Sequence, residues 1–196
     1  MACVRLIALF DSRTLQRVIN ALVIIIIIYG FMSVLHAGIR WTNALVFGKL
    51  YYCSPVWSNT LKKNISKLQK FQNFAGRIIS GTWKFDHITP VLKELRWLPL
   101  SSYLKYTLGV LAFKSVKGLA SSYLCDKFKT RAFFHDHNTR NKDNLNIPGY
   151  KSASGQRTFL YLATKLWNSL PCDLINSASL IIFKRKLKDF LFSNAF

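Results

Sequence analysis

The segment from Leu61 to Ile79 repeats an apolar residue every three or four positions, which is the period of an α-helix that buries one face. The residues that share this face are Leu61, Ile65, Leu68, Gln72, Ala75 and Ile79, widened by Phe71, Phe74 and Ile78. Asn59 is placed to cap the first turn, and Gly81 is placed to end the helix. This is the helix that the sequence specifies most strongly.

The helical period recurs in several later segments of the chain. Thr89 and Pro90 fit an N-cap and a proline at the first position of a short helix that ends near Leu95. Four more helices are predicted. The first starts at Ser101 or Ser102 and stops at Gly118, and the second runs from Ser121 to about Lys129. The third runs from Phe159 to Leu170 and ends before Pro171, and the fourth runs from Phe183 to Leu191. We therefore expect a mainly α fold, a small helical bundle preceded by an apolar N-terminal helix.

That N-terminal helix is predicted from residues 18–39, which carry no formal charge and include five consecutive isoleucines. As a helix the segment would be about 33 Å long, enough to cross a hydrocarbon core of about 30 Å. A transmembrane helix is one interpretation. The other is a misjoined or duplicated reading frame, because the segment 17–23 recurs 23 positions later at 40–46 with five of seven residues identical.

The chain is strongly basic, with 28 Lys and Arg against 8 Asp and Glu and a formal net charge of +20. It is also 51% hydrophobic and 14% aromatic, which excludes a disordered basic tail. Cations alternate with aromatic residues in 67–77, 83–85 and 183–188, a composition that suits phosphate neutralisation with rings available for base stacking. The predicted partner is RNA or DNA, bound without sequence specificity.

Two sets of residues are candidates for this contact. The predicted phosphate-binding residues are Lys62, Lys63, Lys67, Lys70, Arg77, Lys184, Arg185, Lys186 and Lys188. Trp57, Trp83 and Trp167 are predicted either to stack on bases or to lie in the core.

The distribution of acids argues against catalysis. No two of the eight carboxylates lie closer than seven positions, so a carboxylate pair for metal-dependent chemistry would have to be assembled across the fold from few candidates. Glycines 76 and 81 flank a segment that lacks the lysine of a phosphate-binding loop. We predict that the chain is not an enzyme and takes no cofactor or small-molecule substrate.

Cysteine and histidine spacing gives no metal motif. The cysteines at 3, 53, 125 and 172 are far apart and without a CxxC pair, so we expect free, buried thiols in a reducing compartment. His135 and His137 flank Asp136, but a third ligand is missing from this cluster. A polar loop over residues 130–154 is the better interpretation, and no metal is predicted.

Seven short stretches, in order, resemble the C-terminal part of the reverse transcriptase polyprotein of LINE-type, jockey-like non-LTR retrotransposons. They are ALVFGKLYYCSPVWSN (44–59), KLQKFQNFAGRIISG (67–81), LKELRWLPL (92–100), FKSVKGLASSYL (113–124), HDHNTRN (135–141), ATKLWNSLP (163–171) and SLIIFKRKLKDFL (179–191). The resemblance covers about 150 residues and implies a thumb-like region that follows the catalytic palm.

This resemblance implies a division into an atypical apolar segment 1–43, a thumb-like helical region 44–129, a polar loop 130–154 and a basic helical region 155–196. The Asp-Asp pair of the family's polymerase site has no counterpart here. The expected function is that of a catalytically incomplete, nucleic-acid-binding piece located in the nucleus or cytoplasm. The alternative is a single-pass membrane protein whose basic helical domain lies against anionic lipid.

Overall fold

A computed structural model describes residues 42–134 and 144–196, which are mainly α-helical. The helices are α1 Gly48–Tyr51, α2 Ser54–Trp57, α3 Lys62–Ser80, α4 Ile88–Glu94, α5 Leu100–Val116, α6 Ser122–Cys125, α7 Phe159–Asn168, α8 Cys172–Ile175 and α9 Leu180–Ser193. A π-helical turn, Thr42–Phe47, precedes α1, and short 3-10 turns lie at Arg131–Phe133 and Gly155–Arg157. The mainly α fold class is confirmed.

None of the described helices is long and apolar enough to cross a membrane. The predicted transmembrane segment 18–39 and the histidine cluster 135–137 both lie outside the described residues.

The described residues form two compact units. The first contains residues 42–57 and 61–100, and the second contains residues 58–60 together with the described residues after 100. The four-segment division drawn from the resemblance stays a prediction.

Helix α3 is the long element of the first unit, and its end was predicted better than its start. Gly81 follows it with a left-handed φ of 67°, as predicted. The predicted cap at Asn59 is wrong, because the N-cap is Leu61 and has no side-chain cap. Asn59 lies two residues before the N-cap, too early for its side chain to serve the first-turn amides.

Helix α3 thus begins later than predicted, whereas helix α4 begins earlier. Its N-cap is His87, not Thr89, and the helix starts at Ile88. Pro90 therefore occupies the third helical position. Proline is tolerated there because amides of the first turn have no partner within the helix.

The core of the first unit joins α3 to the chain around α4. Gly76 of α3 is buried, and a Cβ built on it would lie 3.6 Å from the side chains of Ile88 and Val91. Trp97 meets Phe47 edge to face, with ring centroids 4.6 Å apart. These contacts bury one face of α3 and leave the opposite face to solvent.

A buried glutamine fixes this packing. The Gln72 side chain is fully buried, and its Nε2 donates to the Leu98 carbonyl at 2.8 Å. Gln69, one turn earlier, accepts from the Leu100 N–H group at 2.7 Å. Two α3 side chains therefore bond to backbone groups of the segment that follows α4. These bonds fix the rotation of α3 about its own axis.

The second unit is built around three aromatic rings from three helices. Phe113 of α5 stacks on Phe183 of α9 with centroids 4.3 Å apart, and Trp167 of α7 lies 6.1 Å from Phe183. Gly109 lets α5 and α9 approach closely, since a Cβ there would lie 2.8 Å from Leu187. Such aromatic contacts account for much of the apolar burial in a small helical unit.

The three described cysteines, Cys53, Cys125 and Cys172, are free. Their predicted burial is wrong, because Cys172 is exposed and the other two are half-buried. Cys172 is the first residue of α8, directly after Pro171, and both residues are exposed.

Candidate nucleic-acid interface

Helix α3 separates its charges from its core side. Leu68, Gln72 and Ala75 are buried, whereas Lys62, Lys63, Lys67 and Lys70 are exposed. At 100° per residue Lys63, Lys67 and Lys70 fall opposite the buried residues, whereas Lys62 falls about 80° from Gln72. The structure therefore brings three of the predicted α3 cations, Lys63, Lys67 and Lys70, together on one solvent-facing side.

Four of these cations form a row along the helix, which we call the cationic row: Lys63, Lys67, Lys70 and Arg77. Their spacing of four, three and seven residues keeps them in one line, and Lys62 lies at its edge. From Lys63 to Arg77 the row is about 21 Å long at 1.5 Å per residue. That length matches about six nucleotides of a strand at about 3.4 Å each.

The row is free of acids. Helix α3 contains no Asp or Glu. Within residues 42–134 and 144–196, none of the row's three lysines forms an ion pair. Their ammonium groups therefore repel one another and are not neutralised by the protein, which makes the row a site that favours a polyanion.

Phe74 belongs to this charged side, and its predicted place on the apolar face is wrong. Its side chain is 41% exposed. It lies four residues after Lys70 and three before Arg77, which puts it in line with the row. The same spacing was a signal in the sequence, because Phe74 falls about 120° or more from the centre of the buried face at 100° per residue.

Arg77 connects the end of the row to the α3–α4 connection. Its Nη2 donates to the Asp86 carbonyl at 3.0 Å. Its Nε is buried and has no hydrogen-bond partner among the described residues. Because one side of the guanidinium is used to hold the connection, Arg77 acts partly as a positioning residue and contributes its charge from a half-buried place.

The three candidate tryptophans have different environments. Trp167 is buried, 3% exposed, and belongs to the core of the second unit. Trp57 is half-buried, and its Nε1 donates to the Tyr52 carbonyl at 3.1 Å. Trp83 is 80% exposed and is the one of the three that is placed to stack on a ligand.

The basic residues of α9 lie in the second unit and divide between two sides of their helix. Lys184, Arg185 and Lys188 fall within about 100° of each other, beside the 80%-exposed Ile181. Lys186 lies on another side and donates from its Nζ to the Asp173 carbonyl of α8 at 3.5 Å. The structure therefore groups three of the four predicted α9 residues and separates Lys186 from them.

Among the described residues, no three His, Cys, Asp or Glu side chains are grouped to hold a metal ion. Comparison of the chain with protein-family models, with curated proteins and with solved structures gives no match in any of the three.

Proposed function

We propose that this chain binds RNA or DNA without sequence specificity, with strand phosphates seated along the cationic row of α3. The observation that carries the proposal is the row itself: four aligned cations on an acid-free helix, opposite the side that buries Leu68, Gln72 and Ala75. Lysine and arginine that neutralise phosphates release condensed counterions, and this release supplies most of the free energy of non-specific binding.

The α9 residues Lys184, Arg185 and Lys188 give the second unit a smaller contact of the same kind. Asp189 lies on the same helix and weakens the local potential. We therefore assign the main share of binding to α3 and a lesser share to α9.

We further propose that the chain derives from the thumb-like part of a LINE-type reverse transcriptase and does not polymerise by itself. The seven ordered stretches support the origin, and the wide spacing of the eight carboxylates supports the lack of polymerisation. Sequencing the genomic DNA upstream tests the origin. A neighbouring reading frame that encodes a palm with an Asp-Asp pair is the expected result, and an unrelated upstream gene would count against it.

Binding itself is tested by fluorescence anisotropy of the full chain with labelled oligonucleotides of two unrelated sequences. We expect similar affinities for both sequences and a slope of log Kd against log salt equivalent to about three or four phosphates, at about 0.7 to 0.9 per phosphate. Vesicles with and without phosphatidylserine provide the comparison with lipid. Flat salt dependence, or binding to anionic vesicles in the absence of any binding to oligonucleotides, would refute the proposal.

A further inference from the structure

Two large rings stand in solvent directly after α3. Trp83 is 80% exposed and Phe85 is 91% exposed, and Lys84 lies between them. Neither ring contributes appreciably to the core at this exposure. Adjacent exposed aromatic rings are a frequent mark of a binding surface, and they are unusual as a purely structural feature.

The turn that carries the rings is closed by its own hydrogen bonds. The Trp83 N–H group donates to Asp86 Oδ2 at 3.0 Å, and the Asp86 N–H group donates to the Trp83 carbonyl at 3.2 Å. Arg77 donates to the carbonyl of the same Asp86 at 3.0 Å. The turn 83–86 is therefore fixed in shape and attached to the last cation of the row.

The chemistry around the rings selects a ligand that combines flat apolar surface with negative charge. The Lys84 ammonium lies 5.6 Å from the Phe85 ring centroid, and Arg77 reaches the turn from α3. The one carboxylate of the turn, Asp86, keeps its charge and accepts from the Trp83 N–H group at Oδ2, and the cations Lys84 and Arg77 outnumber it. A nucleobase with its phosphate has both required properties, since the base stacks on a ring while the phosphate pairs with a cation.

We infer that Trp83 and Phe85 stack on unpaired bases of a strand whose phosphates lie on the cationic row, so that the chain prefers single-stranded nucleic acid to duplex. This inference rests on the proposed function. Bases inside a duplex already stack on their neighbours and hide their faces, whereas every base of a single strand offers one. The cationic row contacts only phosphates, which single strands and duplexes share. The turn therefore supplies the preference for single strands over duplexes.

The test compares three ligands of equal length: oligo(dT), an oligonucleotide of abasic phosphates, and a blunt hairpin duplex. Their Kd values are measured by anisotropy with the full wild-type chain and with W83A/F85A. Stacking contributes about 1–3 kcal/mol per base, so we expect the double variant to weaken oligo(dT) binding about tenfold or more. Binding of the abasic strand should change less than about twofold, because it has no bases to stack.

Tyr123 supplies a matched control in the second unit. It is 71% exposed, and the Lys127 ammonium lies 5.1 Å from its ring centroid, so it has the same ring and cation pairing on an element other than α3 and its turn. We expect Y123A to bind oligo(dT) as the wild type does. An equal loss of oligo(dT) affinity in Y123A and W83A/F85A would overturn the inference, because any exposed ring would then contribute to binding.

Asp86 is a positioning residue. Two variants separate the effect of the hydrogen bond that it accepts from the effect of its negative charge. D86N keeps an oxygen that accepts from the Trp83 N–H group, whereas D86A removes it. We expect D86N to retain the preference for oligo(dT) over the abasic strand and D86A to lose part of it. Equal preference in wild type, D86A and D86N would count against a shaped turn.

The two proposals fail in different ways. If the wild type binds oligo(dT) and the abasic strand with equal affinity and W83A/F85A changes neither, the stacking inference is wrong while phosphate binding stands. If the wild type binds none of the three ligands, the proposed function is wrong as well. Circular dichroism of each variant establishes that a loss of binding is not a loss of folding.

Discussion

Arg96 occupies the same left-handed backbone position at the end of α4 that Gly118 occupies at the end of α5. Their φ angles are 52° and 70°. In both helices the next residue's N–H group reaches back five positions, Trp97 to the Leu92 carbonyl at 2.9 Å and Leu119 to the Lys114 carbonyl at 2.7 Å. The two ends are therefore equivalent C-caps, one built on glycine and one on a residue with a Cβ.

This equivalence predicts opposite effects of two exchanges. R96G should raise the free energy of unfolding by up to about 1 kcal/mol, because relief of the left-handed strain outweighs the added freedom of the unfolded chain. G118A should lower the free energy of unfolding by about 1 kcal/mol, because alanine is strained in the left-handed conformation that Gly118 adopts. Chemical denaturation followed by circular dichroism measures both changes. A destabilised R96G would show that the arginine side chain contributes a contact larger than its strain.

A second prediction concerns Asn168, at the end of α7. Its Nδ2 donates to the Leu145 carbonyl at 2.9 Å, and its Oδ1 accepts from the Leu145 N–H group at 3.0 Å. Leu145 is buried and forms an isolated antiparallel bridge with Thr130. The Asn168 amide therefore bonds to both the N–H group and the carbonyl of Leu145, which is buried. It takes the place that a neighbouring strand would occupy on the side of Leu145 away from Thr130.

N168A leaves both groups of Leu145 without these partners, so we expect a loss of about 2 to 4 kcal/mol of unfolding free energy. Asn176 is an exposed C-cap of α8 and serves as the control. N176A should change stability by less than about 0.5 kcal/mol. Equal effects of the two variants would mean that water replaces the Asn168 bonds at little cost.

These two cases show what the sequence could and could not predict. The end of α3 and the end of α5 were predictable because Gly81 and Gly118 follow apolar periodic segments, and glycine adopts the left-handed cap without strain. Arg96 gave no such signal, since arginine carries a Cβ and is not a residue that favours the left-handed cap. The pairing of Asn168 with Leu145 joins residues 23 positions apart, and no local pattern indicates it.

The candidate interface was predictable in its cations and only partly in its rings. Periodicity alone places Lys63, Lys67 and Lys70 opposite the buried side of α3. Composition could not tell which tryptophan is exposed, because that depends on packing: Trp167 closes a core, and Trp83 stands in a turn held by Asp86. Burial of Gln72 was visible as a position in the helical period, but its bond to the Leu98 carbonyl was not.

A third prediction concerns pH. Burial raises the pKa of Tyr103 above its ordinary value of 10.0, with a smaller contribution from repulsion by Tyr106, and burial raises the pKa of Tyr106 as well. The unfolded chain therefore loses these protons first as pH rises. Their contribution to stability is fully present below pH 10.0 and is lost as pH rises through the folded-state pKa values.

Denaturation curves measured at several pH values above neutrality test this sign. We expect stability to fall above about pH 10 and to fall less steeply in Y103F, which removes one of the two titrating groups. Absorbance of phenolate in the folded chain should rise at a higher pH than in the denatured chain. Coincident absorbance curves for the two states would contradict raised pKa values.

The last prediction compares a cation that we propose to bind phosphate with one that donates to a backbone carbonyl. Lys67 lies in the middle of the cationic row, whereas Lys186 of α9 points to the Asp173 carbonyl at 3.5 Å. K67Q should weaken duplex binding and make the salt slope less steep by about 0.9, since one fewer counterion is released. K186Q removes the same charge from the chain and should leave the slope unchanged within error. Equal changes in both variants would show that binding depends on net charge alone, without any preference for the row.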